Sequence, residues 1–242
     1  MRHDGRVALV TGAGHRLGRA FAIALSERGA TVAVHYNASA DAARETVALI
    51  ESAGGKAAHF YNDLTDPRGP QELVDAVIER FGKLDILVNS AAVMERTPLG
   101  EVTVEMWDRM FAINLRAPFF LSQAAAAVMP SGSTIINISD LAAFESWPTY
   151  IPHAITKAGI NRMTESMARV LGPNIRVNAI APGAVLLPET WGEEMSRDFA
   201  ESTPLKRVGD AVDAVGAMLY LLDAEFVTGE TIVVDGGRRI RH

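Results

Sequence analysis

Short β-branched runs alternate with longer helical stretches along the chain, and this alternation restricts the fold more than any other feature of the sequence. Residues 7–10 are all apolar, as is typical of a strand buried on both faces of a sheet. A strand, a crossover helix and a second strand form a right-handed unit whose strands are parallel. The pattern therefore predicts one α/β domain over residues 1–242, built on a doubly wound parallel sheet of about seven strands flanked by helices.

Glycine follows several of the helical stretches and marks where they end. The predicted strands cover residues 7–10, 31–35, 57–61, 84–88, 134–138, 175–180 and 231–234. The predicted helices cover residues 17–28, 41–52, 71–81, 105–129, which has Pro118 inside it, and 150–171. The segment 182–208 is irregular, with a short helical pattern at 193–201. A long irregular segment in a compact domain is usually a functional loop or lid.

The composition excludes several classes of protein. The chain has no cysteine, which excludes disulfides, thiolate catalysis and cysteine-built zinc or iron–sulfur sites; no other metal site is indicated. Its 23 Lys and Arg against 29 Asp and Glu give a net charge of −6 without a basic cluster, so nucleic acid is not an expected partner. No apolar run approaches the roughly 20 residues that span a bilayer, and the N-terminus leads directly into a strand. We therefore expect a cytoplasmic protein without a membrane partner.

The sequence TGAGHRLG at residues 11–18 lies between the first predicted strand and the first helix. Glycine lets the backbone approach a pyrophosphate closely, and a helix N-terminus supplies N–H groups and the positive end of the helix dipole. The same residues also fit a plain connection between a strand and a helix, so the motif alone is weak. Its position after a buried strand and before a helix favours a dinucleotide-binding turn.

The turn and four later motifs resemble the short-chain dehydrogenase/reductase family, in the family's order and over nearly the whole chain. The turn matches the family's T-G-x-x-x-G-x-G at Thr11, Gly12 and Gly18. The later motifs are NSAA at 89–92, Asn114 in a predicted helix, Pro182-Gly183 after the sixth strand, and DGG at 235–237. The resemblance implies a Rossmann fold, a bound nicotinamide dinucleotide and an oxidoreductase that acts on a small molecule.

The resemblance also implies two groups of site residues. The residues expected to bind the cofactor are Thr11, Gly12, His15, Arg16, Leu17, Gly18, His35, Tyr36, Asn37, Asp63, Leu64, Asn89, Ala91, Lys157, Pro182 and Gly183. The residues expected to form the catalytic centre are Asn114, Asp140, His153 and Lys157. Asp63 resembles the family's adenine contact, and it fits equally well as the cap of the turn that follows it.

Arg16 stands where most of the family has glycine. An arginine at this position of the turn resembles the pteridine reductases, a subgroup of the family. Asp140, at the position of the family's catalytic Ser, is also typical of that subgroup. An NAD enzyme of this fold has an acidic residue near the end of the second strand, where this chain has His35 or Tyr36. Because Arg16 and His15 offer positive charge to a 2′-phosphate or the pyrophosphate, we expect the cofactor to be NADP(H).

The resemblance breaks at the family's catalytic Tyr and Lys, which lie four residues apart on one face of a helix. Lys157 matches the Lys, but His153 occupies the Tyr position. Three interpretations are open. Tyr150 is the acid, although it lies seven residues before Lys157; or His153 is the proton donor, since an imidazole has a reference pKa of about 6.5; or the site has lost its activity.

These residues predict an NADPH-dependent reductase of a C=N or C=O bond that resembles the pteridine reductases, with a pterin or a carbonyl compound as substrate. The alternatives are a non-catalytic NADP(H)-binding sensor or partner module, and a general carbonyl reductase of the same family. The candidate walls of a pocket for a flat substrate are Phe144, Trp147, Trp191 and Met195. The resemblance also implies a homotetramer, with 124–129 and 160–171 as candidate contact surfaces.

Overall fold

The computed structural model describes residues 2–185 and 192–240, and a seven-stranded sheet runs through them. Neighbouring strands are all parallel, in the order β3-β2-β1-β4-β5-β6-β7. The strands are β1 (Val7–Val10), β2 (Thr31–Tyr36), β3 (Lys56–Tyr61), β4 (Ile86–Asn89), β5 (Ser133–Ile138), β6 (Ile175–Pro182) and β7 (Thr231–Val234). The predicted doubly wound sheet is confirmed, and each strand lies within two residues of its predicted bounds.

Helices cover both faces of the sheet. Their bounds are α1 (Arg16–Glu27), α2 (Ala40–Ser52), α3 (Gly69–Phe81), α4 (Val104–Phe111), α5 (Ala117–Ala126), α6 (Ile151–Leu171), α7 (Glu193–Glu201) and α8 (Ala211–Asp223). Along β1, side chains alternate between two cores. Ala8 and Val10 join the core that contains Phe21 of α1 and Met218 of α8, whereas Leu9 joins the core formed with α3 and α5.

The prediction of a single helix over residues 105–129 is wrong in detail. The structure has α4, then a π-helical turn at Ala112–Arg116, then α5, which ends at Ala126. The widened turn contains Asn114, whose side chain is bonded to the backbone of Val93 on a neighbouring loop. Pro118 lies in the first turn of α5, directly after the π-helical turn, and its missing N–H removes one bond that a regular helix would make to that turn. π-helical turns of this kind are frequent at functional sites.

The sequence patterns assign no element to residues 211–223, where the structure has α8. This helix begins with a capping box in which the side chains of Asp210 and Asp213 each accept a backbone N–H. The segment 182–208, expected to be a loop or lid, contains α7 at the predicted residues. Within residues 2–185 and 192–240, no helix combines the length and the apolar character needed to cross a membrane.

Candidate active site

A cavity of about 620 Å³ opens along the carboxyl ends of strands β1 to β6. It includes the point where β1 has β2 on one side and β4 on the other, which is where ligands bind in open α/β sheets. Most of the predicted site residues line it: Gly12, His15, Arg16, Leu17, Gly18, His35, Asn37, Asp63, Leu64, Ala91, Asp140, His153, Lys157, Pro182 and Gly183. Thr11, Tyr36, Asn89 and Asn114 do not line it.

The glycines of the first turn allow two backbone segments to touch. A Cβ atom on Gly18 would lie 2.3 Å from the carbonyl oxygen of Gly12, so α1 packs directly on the turn. Gly12 has a φ of 65°, and a Cβ there would lie 3.0 Å from Cα of Ala91. The start of α1 therefore faces the cavity without an intervening side chain at these positions, which fits a bound pyrophosphate.

Three residues that were expected to bind the cofactor are occupied elsewhere. The hydroxyl of Thr11 accepts the backbone N–H groups of Ser90 and Ala91, at 2.9 and 3.0 Å, and so joins the turn to the loop after β4. Tyr36 packs against His59 and Tyr61 rather than facing the cavity. The side chain of Asn89 is buried and donates to Ser122 and Asn137.

Arg16 adopts a left-handed backbone conformation, with a φ of 48°. Most residues with a side chain lose about 1 kcal/mol or more in this region, whereas glycine does not. The conformation explains why a glycine suits this position of the turn. The Arg16 side chain therefore lies at the N-terminus of α1 although its left-handed backbone conformation costs free energy.

Asn114 connects the π-helical turn to α6. Its side-chain oxygen accepts the N–H of Val93, and its amide donates to the carbonyl of the same residue, both at 2.8 Å. The amide nitrogen also lies 3.5 Å from Nδ1 of His153 and 3.4 Å from the hydroxyl of Thr156. Because an amide N–H faces Nδ1, that nitrogen carries the lone pair, and we place the proton of the neutral ring on Nε2.

His153 is buried, with 2% of its surface exposed, yet it lines the cavity. Its Nε2 has no hydrogen-bond partner and lies 3.7 Å from Oδ2 of Asp140. The other oxygen of Asp140 accepts the N–H of Ala142 at 2.7 Å, which holds the carboxylate at the end of β5. A buried imidazole nitrogen without a partner costs free energy unless a ligand completes it. Nε2 is therefore a buried nitrogen that the protein leaves unsatisfied, in a residue that lines the cavity.

Lys157 lies one helical turn after His153 and is buried among the same residues. Its ammonium donates to the carbonyl of Ile138 at 2.9 Å. Burial lowers the pKa of Lys157 from 10.5 to about 8, and the negative charge of Asp140 opposes this shift. The ammonium of Lys157 is thus a buried cation, and the carboxylate of Asp140 is the negative charge that acts on it.

The other aromatic residues singled out in the sequence differ in whether they line the cavity. Tyr150 precedes α6 and packs edge-to-face on Trp147, and it does not line the cavity, unlike His153. Trp147 lines the cavity as expected. Phe144 lies under the guanidinium of Arg239 instead. Trp191 lies outside the described residues, and the Met195 side chain is not described either.

Among the cavity-lining residues that the sequence analysis did not single out are Arg109, Phe199 and Arg238. Arg109 lies on α4 and is paired with Glu95 at 2.7 Å. Arg238 follows the DGG motif and stacks on Phe199 of α7, with its guanidinium carbon 3.9 Å from the ring centre. The left-handed Gly236 and Gly237, which return the chain toward the cavity, were the available signal for Arg238. Among residues 2–185 and 192–240, no three His, Asp or Glu side chains are grouped to hold a metal ion.

Comparisons with known proteins cover nearly the whole chain. A family model described as enoyl-(acyl carrier protein) reductase matches residues 12–239. L-Rhamnose 1-dehydrogenase (NAD(P)(+)) of Sphingomonas sp. strain SKA58 is 34% identical and is matched over 97% of this chain and 96% of its own. A variant of the Serratia marcescens short-chain dehydrogenase/reductase has a TM-score of 0.93 at 34% identity, covering 99% of this chain and 100% of its own. The angucycline C-6 ketoreductase LanV with bound NADP has a TM-score of 0.92 at 36% identity, covering 98% and 97%.

The chain therefore belongs to the short-chain dehydrogenase/reductase family. It is an oxidoreductase that depends on a nicotinamide dinucleotide, NAD(P)(H), as the family does. The glycine turn, the open mouth of α1 and the cavity along the strand ends fit such a cofactor.

Replacing the buried lysine should stabilise the protein without its ligands. Because the pKa of Lys157 is lowered to about 8, its burial opposes folding fully below about pH 8, and the penalty fades as pH rises toward 10.5. The shift corresponds to about 3 kcal/mol, and the lost bond to Ile138 offsets about 1 kcal/mol of it. Urea unfolding of Lys157→Met should show a gain of about 2 kcal/mol near pH 7 and none near pH 10.

Lys56→Met is the matched control, since Lys56 is exposed at the start of β3. Its free energy of unfolding should stay within about 0.5 kcal/mol of the wild-type value. A Lys157→Met protein that is no more stable than the wild type near pH 7 would show that the buried ammonium does not lower the free energy of unfolding.

Proposed function

We propose that the protein is an NADPH-dependent reductase of a C=O or C=N bond in which His153 is the proton donor. The observation that carries the proposal is the buried Nε2 of His153, which has no hydrogen-bond partner and lies 3.7 Å from Asp140 beside the cavity. Tyr150, the other candidate acid, packs on Trp147 and does not line the cavity. When bound, NADPH supplies the hydride for the reduction.

The chain's own residues then handle one proton. In the protonated ring, Nε2 of His153 donates to the oxygen or nitrogen of the substrate as negative charge develops there, and the ring becomes neutral. In the resting neutral ring Nδ1 accepts from the amide of Asn114; in the protonated ring Nδ1 carries a proton, so this contact at 3.5 Å is given up when the ring is charged. Asp140 lies 3.7 Å from Nε2, on the side of the ring away from Asn114, and places a negative charge there before the transfer. The proton is replaced from solvent through the open side of Asp140, whose side chain is 24% exposed.

Several residues would hold the cofactor. Gly12 and Gly18 allow the pyrophosphate to approach the start of α1, and Arg16 at that helix end supports NADP(H) over NAD(H) through its positive charge. Lys157 and the Pro182-Gly183 turn lie at the other end of the cavity and would hold the nicotinamide half. The NADP bound in the similar ketoreductase LanV supports this choice of cofactor.

Two substrate classes fit the cavity. Arg16 and Asp140 resemble the pteridine reductases and favour a pterin, whose polarised C=N bond needs a weaker acid than a ketone does. The similarity to the ketoreductase LanV favours a ketone on a flat ring system. Trp147 and Phe199 line the cavity and suit flat substrates of either class.

We also propose a homotetramer that assembles through α5 and α6. Both helices carry large apolar side chains that stay exposed in the single chain: Phe119, Phe120, Ile155 and Val170. Exposed apolar groups of this kind mark contact surfaces between proteins.

Replacing the proposed donor should remove most of the turnover. His153→Phe keeps a ring but has no proton to donate, and loss of a general acid costs about 10²–10⁴-fold in rate. NADPH oxidation is followed by the absorbance of the reduced nicotinamide, with dihydrobiopterin, dihydrofolate, quinonoid pterin and a panel of diketones. The best acceptor identifies the substrate class.

His59→Phe is the control, because it makes the same chemical change at an exposed position on β3. It should keep wild-type turnover, and NADPH affinity should be the same in all three proteins. Unchanged turnover in His153→Phe would contradict the role of His153. Tight NADPH binding without turnover of any acceptor by the wild type would contradict the reductase and favour a cofactor-binding module.

Arg16→Gly should separate the two cofactors. Glycine adopts the left-handed backbone without cost, so the variant has no backbone strain at this position. Loss of a charged hydrogen bond to phosphate should raise the NADPH dissociation constant about 10- to 100-fold and change that of NADH little. Arg44→Gln removes a positive charge outside the cavity and is the control. Equal weakening of NADPH and NADH by Arg16→Gly would contradict the 2′-phosphate role.

A further inference from the structure

The side chain of His35 connects two segments of the cofactor cavity. The ring is buried at the end of β2, with 2% of its surface exposed. Its Nδ1 accepts the backbone N–H of Gly12 in the glycine turn at 3.2 Å. Its Nε2 donates to the carbonyl oxygen of Asn62, immediately before Asp63, at 3.0 Å. One ring therefore spans the distance between the turn after β1 and the loop after β3.

The backbone around His35 strengthens the same connection. The N–H of Ala13 bonds to the carbonyl of His35, and the N–H of Asn62 bonds to the carbonyl of Tyr36, both at 3.0 Å. These bonds continue the sheet beyond its regular pairing and bring both segments to the end of β2. The ring is the only part of this junction that depends on the identity of a side chain in β2, since the other two bonds are between backbone atoms.

The two contacts require one protonation state of the ring. Nδ1 must carry a lone pair to accept from Gly12, and Nε2 must carry the proton that goes to Asn62. Burial lowers the pKa of His35 to about 4, although the nearby Asp63 carboxylate opposes the shift. The ring is accordingly neutral at physiological pH and has the tautomer that both contacts need.

This arrangement leaves the ring nitrogens of His35 no hydrogen bond to offer a cofactor, although the residue lines the cavity. Both ring nitrogens are already bonded to the protein, so neither is available to the ribose or phosphate of a cofactor. His153 differs in this respect, because its Nε2 lacks a partner. His35 reaches the cofactor only through the segments that it holds.

We propose that His35 is a positioning residue that holds the glycine turn at a set distance from the loop carrying Asp63, so that the pyrophosphate and adenine ends of the cofactor site are aligned before binding. The proposal rests on the proposed binding of NADP(H). It assigns to β2 a role in cofactor affinity that is separate from contact with the cofactor.

Substitution of His35 by asparagine or by glutamine keeps one of the two ring contacts and removes the other. The side-chain oxygen of asparagine can take the place of Nδ1 and accept from Gly12, whereas the side-chain nitrogen of glutamine can take the place of Nε2 and donate to Asn62. Phenylalanine fills the space and makes neither bond. The variants are therefore His35→Asn, His35→Gln and His35→Phe. Val32→Ala, at a buried position of the same strand, is the control for general loss of stability.

The primary measurement is equilibrium binding of NADPH by nicotinamide fluorescence, together with thermal unfolding of the proteins without cofactor. His35→Phe and His35→Gln should raise the NADPH dissociation constant about tenfold, the effect of one lost hydrogen bond. His35→Asn, which keeps the bond to Gly12 and loses the bond to Asn62, should also raise it severalfold, because the proposed spacing needs both ends of the ring. Val32→Ala should lower the unfolding temperature while leaving NADPH affinity unchanged. The effect of His35→Phe should appear in the KM for NADPH more than in the turnover number.

The outcomes separate this inference from the proposed function. A wild-type protein that binds no NADPH overturns both. A wild type that binds NADPH, with His35→Phe binding equally well, overturns the positioning role alone. Wild-type affinity in His35→Asn or in His35→Gln also overturns it, because one of the two ring contacts would then carry none of the effect.

Discussion

The close contact between the glycine turn and the first helix is the constraint on which the rest of the site depends. Gly18 leaves no room for a Cβ atom against the carbonyl of Gly12, and Thr11 bonds the same turn to the loop after β4. His35 then fixes the turn from the side of β2. The start of α1 is thus held at the strand ends by three sets of contacts.

Three buried titratable side chains around the cavity differ in how completely they are satisfied. His35 has both ring nitrogens bonded to the protein, which suits a positioning role. Lys157 has a carbonyl partner, and burial lowers its pKa to about 8, so the fold tolerates a cation that it disfavours. His153 keeps one nitrogen without a partner. The degree of satisfaction separates residues that organise the site from the residue proposed to act on substrate.

The sheet and most helices could be predicted because buried parallel strands are β-rich apolar runs and because glycine ends several helices. The π-helical turn at Ala112–Arg116 could not, since the bonds of Asn114 to Val93 join segments that are distant in sequence. The sequence also left His35 and Tyr36 as equivalent candidates, and only the packing of Tyr36 on His59 and Tyr61 distinguishes them. Motif resemblance identified residues near the cavity, but it did not tell which side chains face it.

The most direct test of the proton donor is the pH dependence of the turnover number at saturating NADPH, for the wild type and for His153→Tyr. A phenol keeps its proton to higher pH than an imidazole does. If His153 is the donor, turnover of the tyrosine variant therefore falls at a higher pH than turnover of the wild type. A decline near pH 8 in both proteins would belong to Lys157, whose pKa is lowered to about 8. Coincident profiles over the whole range would contradict the assignment of His153.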